Sequence, residues 1–140
     1  MDPYRTPSAD VRVLPSQPAP GVRVGAVVRD VVIVLLLTGI GGFIIGVALR
    51  SPTPGTPQTL AAIGASNLLL SIIGFTISGV LARGARWRHL AIVATIVWLV
   101  SAVNVPTVGL ALWLAGAPLT AIIVAVGGAL SYVFRRDAQG

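Results

Sequence analysis

The chain has 140 residues, 55% of them hydrophobic, a mean hydropathy of +0.91 and no cysteine. Its charge is sparse and one-sided: ten Arg and four Asp, with no Lys and no Glu, give a net charge of +6. This composition excludes disulfides, thiolate metal sites and cysteine nucleophiles. It also argues against nucleic acid as a partner, because the arginines flank apolar runs rather than alternating with stacking aromatics on a polar surface.

Residues 1–23 carry five prolines and few large apolar side chains, a composition that predicts a disordered, Pro-rich cytoplasmic leader. A cleaved signal peptide, with Gly46 and Ala48 as small residues before the cut, fits less well. The uncharged core that follows runs over residues 31–49, longer than the 7–15 residues of an ordinary h-region. Two further stretches, 51–82 and 89–134, also lack charge if His89 is counted neutral. A water-soluble fold needs polar outer faces, which these stretches do not supply. In hydrocarbon, by contrast, the backbone must satisfy itself in apolar helices of about 20 residues.

The predicted architecture is an all-α integral membrane protein, a four-helix bundle formed by residues 24–136, with spans near 24–49, 60–82, 89–107 and 112–134. Ser51 to Pro57 holds three prolines and a glycine and is expected to form the first turn. Residues 83–88 are expected to form the second loop, and a turn is placed at 108–112. That division puts Trp113 and Tyr132 at opposite membrane interfaces. Pro118 then falls in the second turn of the last helix, and 137–140 form a short tail. Arg12, Arg23, Arg29, Arg83, Arg86, Arg88, Arg135 and Arg136 fall on one side of these spans and Arg50 alone on the other. The positive-inside rule therefore predicts a multi-pass inner-membrane protein, inserted one way, with both termini cytoplasmic.

Small residues mark the faces on which membrane helices pack. Gly64, Asn67, Ser71, Gly74 and Ser78 step along one face of the second span. The first span offers Gly39, Gly42 and Gly46, and the fourth offers Ala117, Ala121, Ala125 and Gly128. Intrachain packing explains these seams, and one of them is available to a membrane-protein partner or a second copy. Gly74, Ser78, Val80 and Arg83 recur as Gly127, Ser131, Val133 and Arg136 at a constant offset, as duplicated hairpins produce.

Residues able to carry chemistry are few. Asp30, beside Arg29, is expected to be an interfacial anchor at the start of the first helix. His89 is expected to sit neutral among headgroups, next to three arginines. No His or acid shares the depth of the span serines, so a hydrolytic pair is not expected. No metal or cofactor is expected either. The remaining polar cluster is Asn67, Ser71, Ser101 and Asn104, with Asn67 expected to approach Ser101 or Asn104 across a helix interface as glue or as a small pocket. Arg83, Arg86, Arg88, Arg135 and Arg136 are expected to face the anionic headgroups of the bilayer. These features predict a non-catalytic accessory or scaffold subunit. The alternative is a small-solute or ion channel or transporter that works as an oligomer.

Overall fold

A computed structural model describes residues 21–48, 56–82 and 84–137. Five α-helices account for nearly all of them: α1 Val24–Ala48, α2 Pro57–Leu81, α3 Arg86–Val100, α4 Val105–Val108 and α5 Leu110–Asp137. A 3-10 turn, Ser101–Asn104, joins α3 to α4. Four segments are long and apolar enough to cross a bilayer: α1, α2, the α3–α4 run Arg86–Val108, and α5 through Phe134. Large apolar side chains point outward along their whole length; Phe43 is 73% exposed and Val103 78%. Such a surface is suited to lipid, where it replaces no water-facing layer. The chain is therefore built as a membrane protein.

Local chemistry explains where the helices differ from the expected spans. The α2 helix starts at Pro57 rather than near 60, because Thr56 caps it and proline suits the first helical position. The Thr56 hydroxyl accepts from the Thr59 N–H at 3.3 Å. The α3 helix starts at Arg86 rather than 89 and draws Arg86, Trp87 and Arg88 out of the expected loop. The third crossing is not one continuous helix. Pro106 has no N–H to offer the Ala102 carbonyl, and Val105 takes that carbonyl instead in the tighter 3-10 pattern. The expected turn at 108–112 is made by Gly109 alone, at φ 84° and ψ 150°, a conformation essentially confined to glycine. Starting the last helix at Leu110 moves Pro118 into its third turn. The leader through Pro20, most of the first loop including Arg50, Arg83 and residues 138–140 lie outside the described residues.

Close contacts fix the topology. Val34 lies against Gly74 and Asn67 against Gly42, so α1 and α2 run antiparallel. Phe75 meets Gly127 and Ser131 meets Gly79, so α2 and α5 run parallel and share the most extensive interface. Trp87 covers Gly128 and Trp98 stacks on Trp113, so α3 and α5 are antiparallel. The four crossings follow one another around the bundle in the order α1, α2, α5, α3; α2 also meets α3 across the middle, and α1 and α5 stay apart. The starts of α1 and α3 and the ends of α2 and α5 meet at one end of the bundle, called here the arginine end.

The core lies toward that end. Val27, Val31, Val34, Phe75, Leu90, Val93, Ala94 and Val124 form it, and α1 has no buried residue beyond Val34. Two glycines decide how closely α2 and α5 approach. A Cβ on Gly127 would lie 2.8 Å from the Phe75 Cβ and 3.0 Å from the Ile72 carbonyl, and one on Gly79 would lie 2.6 Å from the Ser131 hydroxyl. Of the predicted seam residues, Gly74, Gly42 and Gly128 are packing contacts, whereas Gly39, Gly46 and Gly64 have open space where a Cβ would stand. The α2–α5 seam at Gly79 and Gly127, which the sequence reading left out, sets Gly127 against the backbone of a neighbouring helix.

Gly127→Ala is expected to destabilise the bundle by about 1–3 kcal/mol, because backbone is what the new methyl meets. Gly64→Ala is expected to be neutral or stabilising by up to about 1 kcal/mol. Unfolding in detergent reads both, and equal effects at the two positions are incompatible with this packing.

Candidate functional site

Asp30 lies six residues into α1, about 9 Å along the axis from its start. It is completely buried, a correction to its expected place as an interfacial anchor. Each carboxylate oxygen is satisfied. Arg29 donates its Nε–H to Oδ1 at 2.7 Å. Ser78, from the last turn of α2, donates its hydroxyl to Oδ2 at 2.8 Å. His89, from the first turn of α3, places Nε2 2.8 Å from the same Oδ2. An ionised carboxylate only accepts, so beside Arg29 and Ser78 the tautomer of His89 with hydrogen on Nε2 completes the set of donors. Arg29 supplies the opposite charge while its side chain stays 47% exposed and reaches outward as long cationic chains do. His89 is itself buried, 5% exposed, rather than set among headgroups. One carboxylate thus ties three helices together.

A second polar contact lies at the same end. Arg86, 8% exposed, donates from a terminal guanidinium nitrogen to the Ser131 hydroxyl at 3.2 Å and stacks 4.0 Å above the Tyr132 ring. Trp87 approaches the same ring, with centroids 6.4 Å apart. Arg86 was expected to face lipid headgroups; its early entry into α3 turns it onto α5 instead. Arg88 is exposed. Arg135 and Arg136 fall in the last turn of α5, and their side chains, like Arg83, lie outside what is described.

The opposite end is clasped by aromatics. Trp98 and Trp113 stack with centroids 4.2 Å apart and planes 11° from parallel. Trp98 Nε1 donates to the Trp113 carbonyl at 3.3 Å, and Trp113 Nε1 donates to the Ser101 hydroxyl at 3.0 Å. Trp113 is therefore at the far end from Tyr132, as expected, but it also closes the Gly109 turn by holding α3 to α5.

The predicted cluster of Asn67, Ser71, Ser101 and Asn104 is only partly assembled. Asn104 donates its amide to the Ser101 carbonyl at 3.3 Å, and the Ser101 hydroxyl is occupied by Trp98 and Trp113. Asn67 does not join them. Its face of α2, which also holds Gly74 and Ser78, is turned to α1, where Asn67 lies over Gly42 and its buried Oδ1 has no hydrogen-bond partner among the described residues. Ser71 is half-buried and joins none of these bonds. Ala117, Ala121 and Ala125 line an apolar groove of about 440 Å³ between α3 and α5, with Ala91 and Ala94 on its other wall.

The sequence held a signal for the Asp30 site. Asp30 near the start of the first span, Ser78 near the end of the second and His89 at the start of the third all fall at one depth once the spans alternate in direction. Taken on its own helix, each reads otherwise: Asp30 and His89 as end residues and Ser78 as part of a packing seam.

If the carboxylate couples the helices, the destabilisations from Asp30→Asn and Ser78→Ala will not add. A double-mutant cycle is expected to give an interaction energy of about 0.5–3 kcal/mol, and additivity would separate the two residues. No protein-family model matches the chain, and no curated protein or solved structure is similar enough to match it.

Proposed function

We propose that this protein is a non-catalytic scaffold or accessory subunit of a bacterial inner membrane. The carrying observation is the interior of the bundle. Apart from Ser66 and the Oδ1 of Asn67, the buried polar side chains among the described residues, Asp30, Ser78, Arg86, His89 and Ser131, gather at the arginine end and bond to one another across helices. Beyond them, Val34, Phe75, Leu90, Val93 and Val124 fill the bundle. An apolar layer of this kind blocks a hydrated path through one copy. The polar groups join helices instead of lining a route. Conduction, the alternative reading, requires a path between several copies.

The arginine bias supports an orientation with the arginine end, and both termini, in the cytoplasm. The native chain has no cysteine, so single introduced thiols report on sidedness cleanly. A membrane-impermeant thiol reagent applied to intact cells is expected to label Thr53→Cys and to spare Gln139→Cys; the reverse pattern rejects the orientation. Proteoliposomes of the purified chain are expected to pass K⁺, Na⁺ and small neutral solutes no faster than empty vesicles. Saturable flux above that background would replace the scaffold reading with the conducting one.

A further inference from the structure

Beside the Asp30 network is a cavity of about 340 Å³, bounded by the start of α1, the end of α2 and the approach to α3. Arg23, Ala26 and Arg29 line it from the first element, Leu81 from the second, and Ala85 and His89 from the third. At roughly 30 Å³ per water, it has room for a tetrahedral anion with part of its hydration.

Three unused hydrogen-bonding groups border this space. Arg29 spends only its Nε–H on Asp30, so four guanidinium N–H donors remain. The Arg23 side chain makes no hydrogen bond and has no carboxylate partner among the described residues. His89 is nearly fully buried and commits Nε2 to Asp30, while Nδ1 has no hydrogen-bond partner among the described residues. Asp30 cancels one positive charge and its oxygens already hold three donors, so a cation excess remains at the cavity. Guanidinium groups match phosphate oxygens in paired, charge-assisted bonds. The imidazole Nδ1 suits the same group in either protonation state, accepting from a P–OH or donating to a P–O⁻.

We infer that the cavity bordered by Arg23, Arg29 and His89 binds a phosphate group. The site stands apart from the scaffold reading, because neither its geometry nor its occupancy depends on whether solutes cross the bundle. Two sources carry the chemistry, a phospholipid headgroup at this depth or a free phosphate compound, and the experiment separates them.

Arg23 precedes α1 and is exposed, so Arg23→Gln leaves the helices and the Asp30 network intact; an unchanged gel-filtration profile in detergent verifies this. Arg88→Gln, equally exposed but outside the cavity, is the control for diffuse charge. In the first arm, native mass spectrometry of the full chain compares retention of phosphatidylglycerol with phosphatidylcholine. In the second, inorganic phosphate is titrated against chloride at matched ionic strength, and thermal stabilisation is read. The expected result is a saturable preference in at least one arm that falls about tenfold in Arg23→Gln and holds in Arg88→Gln. A preference confined to the lipid arm assigns a headgroup; one present with inorganic phosphate assigns a free phosphate ligand. Equal losses in the two variants, or no Arg23-dependent binding in either arm, overturn the site.

Discussion

The bundle depends on a single carboxyl group, Asp30, taken out of contact with solvent and paired with Arg29. An isolated buried charge costs many kcal/mol in a low-dielectric medium, so it persists only where donors and an opposite charge surround it. Asp30 obtains these from its own helix through Arg29, from α2 through Ser78 and from α3 through His89. Apolar helices in lipid have little to set their register, since one leucine face packs about as well as another. A carboxylate that must meet two specified side chains removes that freedom. It fixes the rotation of α1, and the axial position of α2 and α3 against it.

The second hairpin repeats the device with the charges exchanged. Within α1–α2, an acid near the start of the first helix meets Ser78 near the end of the second. Within α3–α5, Arg86 at the start of the first meets Ser131 near the end of the second. Ser78 and Ser131 are the pair that the sequence echo aligns, and Gly74 and Gly127 of the same echo are both closely packed. Each serine adds a polar constraint at the arginine end, while the small residues allow the backbones to approach. The cross-helix polar bonds of Asp30 and Arg86 and the Gly79 and Gly127 contacts thus share the arginine half of the bundle. The other half is held by the stacked Trp98 and Trp113, and α1 runs there without a buried residue.

This division bears on function. Polar groups bonded to each other join the helices at the arginine end, and Val34, Phe75, Val93 and Val124 are buried beside them. What chemistry remains faces outward, in the guanidinium groups of Arg23 and Arg29 and the unused nitrogen of His89 beside the cavity. The arginine end thus holds both the buried core and the cavity bordered by cationic side chains.

The sequence by itself determined the apolar environment, the number of crossings and the glycine turn between the last two, while the starts of α2 and α3 fell three residues earlier than read. Length and hydropathy are properties of a single segment, and the signal at Gly109 is local; Thr56, Pro57 and Arg86 to Arg88 are equally local, but as helix starts they read as turn and loop. Helical periodicity also placed Asn67, Gly74 and Ser78 on one face correctly. It did not say which neighbour that face meets, because a face is a property of one helix and an interface a property of two. Only the tertiary structure turned it to α1 rather than toward Ser101, brought Asp30, Ser78 and His89 together from three helices, and folded Arg86 onto Tyr132. Those pairings are set by how four apolar cylinders rotate against one another, a choice made where their few polar atoms can be satisfied together.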